Sequence, residues 1–157
     1  MGKISKKLGW LSILTVFAVV CLPVIGFAER PGNFGIGAIL GGPTGISVKF
    51  WVSERNALDG ALSWTSSGSS HFHFDYLWHD FTRFKAKKGS LPLYYGVGGR
   101  FNFDRKNKFG VRGAIGVAYL FADVPLETFF EIVPFLQLIP DTDAGMDVAI
   151  GIRYLFK

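Results

Sequence analysis

From residue 33 to its C-terminus the chain alternates. The clearest stretch, M-D-V-A-I-G-I-R-Y-L-F at 146–156, sets Met146, Val148, Ile150, Ile152, Tyr154 and Phe156 in one phase and Asp147, Ala149, Gly151, Arg153 and Leu155 in the other. A period of two over eleven residues predicts a β-strand, because successive side chains of a pleated strand point to opposite faces. One face of that strand is wholly apolar. Left as a bare edge it would be an aggregation hazard, so it needs a backbone partner and an apolar surrounding.

Seven further segments repeat the pattern. The first covers 33–40 and sets Phe34, Ile36, Ala38 and Leu40 on one face, and a Gly-Gly-Pro-Thr-Gly turn at 41–45 follows it. The second carries Ile46, Val48, Phe50 and Val52 against Ser47, Lys49 and Trp51, and the third Leu58, Gly60, Leu62 and Trp64 against Ala57, Asp59, Ala61 and Ser63. The fourth opposes Phe72, Phe74, Tyr76 and Trp78 to His71, His73, Asp75 and Leu77, and the fifth opposes Leu91, Leu93, Tyr95, Val97, Phe101 and Phe103 to Gly96, Gly98, Arg100 and Asn102. The sixth alternates Phe109, Val111, Ile115, Val117 and Tyr119 with Gly110, Arg112, Ala114, Gly116 and Ala118. The seventh sets Leu126, Thr128, Phe130 and Ile132 against Glu127, Phe129, Glu131, Val133 and Gln137. Pro134 falls on its apolar phase, where a bulge or a shortened pairing is expected. Eight strands result, with no helical period longer than a few residues.

Alternation does not say which face points inward. A soluble lipocalin-like carrier barrel hides the apolar face, and an outer-membrane barrel shows it to lipid. Volume favours the second. Eight strands enclose an interior just wide enough for side chains, and the phenylalanines of the apolar phase together with Trp64 and Trp78 do not fit there. The other phase is rich in glycine and alanine and holds Lys49, Asp59, Asp75, Arg100, Arg112, Glu127, Glu131, Asp147 and Arg153. Such groups avoid hydrocarbon and neutralise each other in a lumen. The expected fold is all-β: an eight-stranded antiparallel transmembrane up-and-down β-barrel with short loops.

The N-terminus is separable from this barrel. Lys3, Lys6 and Lys7 precede an apolar run from Leu8 to about Phe27, and Gly26-Phe27-Ala28 offers the small residues of a signal-peptidase site. We expect a cleaved secretory signal at 1–28 and one barrel domain at 29–157. A single membrane anchor is the alternative, since the run is nearly long enough to span; the small-residue exit favours cleavage. The lone Cys21 follows Val19 and Val20, where a lipoprotein signal has small residues. The remaining chain has no cysteine, so neither a disulfide framework nor a thiol catalyst is expected. It carries fourteen basic against twelve acidic residues, so the basic pI of the full chain is no argument for nucleic acid.

With both termini in the periplasm, the turns after the first, third, fifth and seventh strands face outward. Trp78, Tyr119, Tyr154 and Phe156 then gather at the periplasmic interface and Trp64, Phe101 and Phe103 at the outer one, as the aromatic girdles of a membrane barrel do. The longest connection, 79–89, holds Arg83, Lys85, Lys87 and Lys88 and lies on the periplasmic side. It reads as a solvated connection, with an anionic headgroup or wall-associated partner as the alternative.

These residues resemble the small OmpA/OmpX-like barrels of Gram-negative outer membranes. The final I-G-I-R-Y-L-F looks like the C-terminal insertion signal of that class, although Lys157 follows the aromatic Phe156. G-G-P-T-G-I-S-V-K, D-Y-L-W-H, L-P-L-Y-Y-G-V-G-G-R and E-I-V-P look like a group of short barrels within it, whose biochemical role the resemblance does not carry. The resemblance implies outer-membrane lipid and lipopolysaccharide as surroundings, the barrel-assembly machinery as a partner of the last strand, and a monomer. No soluble peptidoglycan-binding domain of the OmpA type follows the barrel, so wall anchoring by that module is not expected.

Candidate chemistry is sparse. His71, His73 and Asp75 share a face at i, i+2, i+4, a possible metal-ligand spacing, but a hydrogen-bonded lumen network accounts for them better, and no metal or cofactor is expected. Lipid A deacylase barrels would need a His-x-Ser pair on a lipid-facing strand. This chain has His71-Phe72-His73 in the inward phase, so no enzyme is expected. Glu127 and Glu131 on the seventh strand and Arg100, Arg112 and Arg153 on the fifth, sixth and eighth all point inward, and the sixth, seventh and eighth strands are sequential neighbours, which predicts a carboxylate–guanidinium plug across the lumen. A structural or surface-interaction role follows, with an external protein ligand or a narrow channel for small solutes left open. The outward turns are brief and offer little area for a standard interface.

Overall fold

The computed structural model describes residues 32–42, 44–64 and 68–157. The segment read as a signal peptide lies outside the described residues, as do Pro43 and residues 65–67. Among the described residues no helix is long and apolar enough to cross a membrane. The alternating segments form eight strands: β1 (Phe34–Gly41), β2 (Gly45–Trp51), β3 (Asn56–Trp64), β4 (Ser70–Asp80), β5 (Leu93–Phe103), β6 (Lys108–Leu120), β7 (Leu126–Ile139) and β8 (Asp143–Phe156). Each pairs antiparallel with its sequence neighbour, and β8 returns to β1 to close a barrel. Phe34 faces Phe156, Gly37 faces Arg153 and Gly41 faces Ala149 along that closing seam. No strand edge is left unpaired, which is how a closed sheet escapes edge-to-edge aggregation.

The phase question has a clear answer. Val97, Ile150 and Met146 are 60%, 57% and 66% exposed, whereas Ala57, Ala61 and Ala149 on the alternate positions are at most 2% exposed. The apolar phase therefore points out and the small and charged phase points in. A lipocalin-like arrangement with an apolar interior is excluded.

Small inward residues give the large inward ones their space. Gly151 sits opposite Phe129, and a Cβ built there would overlap the Phe129 ring. Gly116 sits opposite Tyr94, and its Cβ would lie 2.5 Å from the ring carbon Cζ and 2.6 Å from the hydroxyl. A narrow barrel holds a tyrosine or phenylalanine inside where the neighbouring strand offers nothing.

Three details differ from the sequence expectation. Val52 leaves β2 and its N–H donates to Asn56 O in the turn at 3.0 Å. Leu91 precedes β5, because Pro92 has no N–H for the ladder; the chain is held there by Ala118 N–H to Pro92 O and by the Ser90–Leu120 bridge. Pro134 is paired with Met146 on β8 but has no partner on β6, where the ladder runs from Arg112–Phe135 directly to Ile115–Ile132. The bulge itself sits nearer the strand end, where the register shifts between Phe109 and Gly110 and Leu138 is left over.

Candidate functional site

The barrel register collects the fully buried inward charges, with a few neutral neighbours, into one group. Ser47, Lys49 and Trp51 come from β2, Asp59 from β3, His73 and Asp75 from β4, Arg112 from β6, Glu127 and Glu131 from β7 and Arg153 from β8; all are buried. Each lies on the inward phase of its strand because it alternates with an outward apolar residue.

Arg153 is the hub. Its Nη1 donates to Glu127 Oε1 at 2.8 Å, its Nη2 to Asp59 Oδ1 at 2.6 Å, and its Nε and Nη2 to Ser47 Oγ at 3.0 and 2.7 Å. The guanidinium carbon also lies 3.9 Å from the Phe129 ring centre, a stacking arrangement that suits a planar cation. Lys49 completes Glu127 from the other side, at 2.9 and 3.1 Å to its two carboxylate oxygens. Arg112 Nη2 donates to Glu131 Oε1 at 3.3 Å, and Tyr94 donates to Glu131 Oε2 at 2.9 Å. These are charge-assisted contacts with little water to compete for them.

Towards the end of the barrel that carries the termini, the lumen changes from ionic to aromatic. The Lys49 ammonium lies 4.3 Å from the Trp51 ring centre, Trp51 lies 4.3 Å from the His79 ring, and His79 lies 5.4 Å from Tyr94. Leu77, Leu120 and Leu155 are buried with them. Towards the opposite end, Arg100 Nη1 meets Asp147 Oδ2 at 2.9 Å, with the Arg100 guanidinium 3.8 Å from the Phe135 ring centre. A cavity of about 290 Å³ opens at this mouth, lined by His71, His73, Arg100, Asn102, Arg112 and Asp147 among others.

All nine residues read from sequence as inward charges do face the lumen, but in two groups. Arg100 and Asp147 pair at the mouth, and the other seven are buried below them. His71 lines the mouth with His73 but is outside the close group that His73 forms with Asp75. The residue that joins those two is Asp59, directly opposite Asp75 across the β3–β4 ladder. Sequence reading missed Tyr94, although its alternation with Leu93 and Tyr95 places it inward. Ser47 was placed inward without its role as an acceptor for Arg153.

Most of the outward aromatics gather towards the two ends, with Phe74 and Phe130 exposed between them. Trp78 stacks on Tyr95 at 5.9 Å, Tyr154 meets Phe156 edge-on at 4.8 Å and Phe156 lies 6.2 Å from Phe34, all at the end with the termini; Tyr119 lies at the same end and donates to Lys88 O at 2.8 Å. At the mouth end, Phe101 lies 4.9 Å from Phe109 and 6.4 Å from Phe72, with Trp64 and Phe103 exposed beside them. In the long connection, Asp80 accepts from the Thr82 amide and hydroxyl at 2.9 and 2.6 Å and from Arg83 Nε at 3.2 Å. The Thr82 donors hold its carboxyl below the usual aspartate range.

No protein-family model and no curated protein matches the chain. Among solved structures it is similar to the N-terminal β-barrel domain of Pseudomonas aeruginosa OprF, with a TM-score of 0.52 and 13% identity over 78% of this chain and 97% of that one. At that identity the likeness is one of fold, and the fold shared is the closed eight-stranded antiparallel barrel.

Proposed function

We propose that this chain is a small outer-membrane β-barrel with a structural or surface-interaction role and a lumen closed to solutes. The observation that carries the reading is the inversion of its two faces: thirty large hydrophobic side chains lie exposed on the described surface while seven charged ones are buried inside. In water that surface would be costly, at roughly 25 cal/mol for each Å² of apolar area. In lipid it is the solvent-facing side, and closure pairs every strand with two neighbours, the short gap at Pro134 apart. The aromatics gathered at the two ends mark where such a barrel meets the headgroups.

With the termini periplasmic, the short turns and the His71–Arg100 mouth face outward, towards lipopolysaccharide. The last strand, alternating up to Phe156, is the part offered to the barrel-assembly machinery. The Trp51–His79–Tyr94 layer and the Arg153 cluster stand in the path of any solute. The lumen serine Ser47 is not set up as a nucleophile, because its hydroxyl is held by Arg153 rather than by an imidazole.

The test is electrophoresis of the full protein in mild detergent with and without boiling, followed by conductance in a planar bilayer. The expected result is a heat-dependent mobility shift and no stable conductance steps. A protein that stays folded and monomeric without detergent overturns the membrane reading, and stable steps from the folded form overturn the closed lumen.

A further inference from the structure

The buried charges do not balance. Among the described residues the buried lumen holds four carboxylates, Asp59, Asp75, Glu127 and Glu131, against three cations, Lys49, Arg112 and Arg153. Glu127 is met by Lys49 and Arg153, Glu131 by Tyr94 and Arg112, and Asp59 by Arg153. Asp75 is the one left over. Arg112 Nε lies 3.1 Å from its Oδ2, but the N–H is not aligned with it, and neither carboxylate oxygen accepts a hydrogen bond. Its side chain is fully buried. Beside it, His73 Nε2 is also buried without a hydrogen-bond partner, 3.9 Å from Asp75 Oδ2.

Buried polar atoms without partners are rare and costly, and these converge. One donor atom from each of Asp59, His73 and Asp75 lies within 4.8 Å of the others. A proton shared between Asp75 and His73 would require the pair to close from 3.9 Å and would still leave the second Asp75 oxygen without a partner. A cation accepting lone pairs from all three side chains satisfies them together. We infer that Asp59, His73 and Asp75 form a binding site in the barrel lumen for one divalent metal ion of the zinc, cobalt or nickel class.

The donor set selects that class. An imidazole nitrogen with two carboxylates suits borderline metals, while calcium and magnesium prefer all-oxygen shells. Metal–ligand distances of roughly 2.0–2.2 Å require the three side chains to draw in by about an ångström, within reach of rotation about their χ angles. The site lies below the mouth cavity, which His73 and Arg112 also line, so the remaining coordination positions open towards water or a small anion. Arg112 keeps its contact with Glu131 while the metal takes over Asp75.

The experiment is a Co²⁺ titration of the untagged full chain, folded in detergent and stripped with chelator, read by visible d–d absorption. The expected result is one equivalent bound with a four- or five-coordinate band. Asp75→Asn and His73→Gln should each weaken binding at least tenfold, and His71→Ala should leave it within twofold. Each variant is first checked for the heat-dependent mobility shift. A second readout covers a variant that folds poorly: Zn²⁺ should raise the urea midpoint of the unsubstituted protein, whereas Mg²⁺ should not. A folded protein without a cobalt band, an unchanged band in folded Asp75→Asn and His73→Gln, or an unmoved midpoint with Zn²⁺ overturns the site. In that case the surplus charge at Asp75 is held by a proton. Failure of the mobility shift in the unsubstituted protein would count against the membrane-barrel reading instead.

Discussion

Replacing Arg153 by methionine tests whether the lumen charges hold the barrel together. Methionine keeps much of the aliphatic stem and removes the guanidinium. Glu127 would retain Lys49 at 2.9 Å, so the loss falls on Asp59, whose salt bridge to Arg153 is 2.6 Å long between side chains each 2% exposed. Breaking a buried pair from one side costs about 3–5 kcal/mol, because the surviving charge stays buried. With a urea slope of about 2 kcal/mol/M for a protein of this size, the midpoint should fall by about 2 M. The assay is urea unfolding in a single detergent, followed by tryptophan fluorescence and by the fraction running at the folded mobility. Adding Asp59→Asn to Arg153→Met removes the stranded charge and should restore more than half of the loss, and the full cycle isolates the pair. The control is Lys106→Leu in an exposed turn, expected within about 0.5 kcal/mol of the parent. If Arg153→Met unfolds at the control's midpoint, the lumen ion pairs do not stabilise this fold and the reasoning fails.

Arg112→Leu should likewise lower the midpoint more than Lys106→Leu, because it removes the buried cation beside both Glu131 and Asp75; equal midpoints would argue against the inward placement of Arg112. Gly116→Val should cost about 1–3 kcal/mol by overpacking and turn the Tyr94 hydroxyl off Glu131, visible as a changed tyrosine signal in near-UV circular dichroism. Pro134→Ala supplies the missing N–H opposite β6, so the new amide should exchange slowly with deuterium; rapid exchange would mean that the gap in the β6–β7 ladder has another cause. Acidification tests Asp80, whose folded-state pKa is depressed by Thr82. Its contribution is present above the ordinary aspartate pKa and is lost as pH falls through the depressed value, so Thr82 amide exchange should speed up, beyond its normal pH dependence, only below the usual aspartate range.

The strands and their facing were legible because the signal is local: alternation needs only the residue two places on. Trp64, Val97 and Ile150 announce an outer face, and Lys49 and Glu127 an inner one, without knowledge of any partner. Register is not local, and the site depends on it. Asp59 and Asp75 are sixteen residues apart in sequence and directly opposite in the ladder, a relation set by the turn between them that alternation cannot count. The i, i+2, i+4 spacing therefore drew attention to His71, which stands at the mouth, rather than to Asp59. Pro134 shows the same limit: its missing N–H was evident, but only the assembled sheet reveals that β6, and not β8, is the strand deprived.

The closing seam sets a condition on how this chain can finish folding. Arg153 arrives with the final strand, and its three ligands wait on β2, β3 and β7. A slip of one residue along β1 would turn Arg153 onto the greasy exterior and swing Tyr154 and Phe156 into a lumen already filled by Phe129 and Tyr94. The misaligned state thus loses backbone pairing, the cation that meets Glu127 and Asp59, and packing volume together. The barrel reads its last strand as a key is read by a lock, and the wrong offset forfeits all three at once.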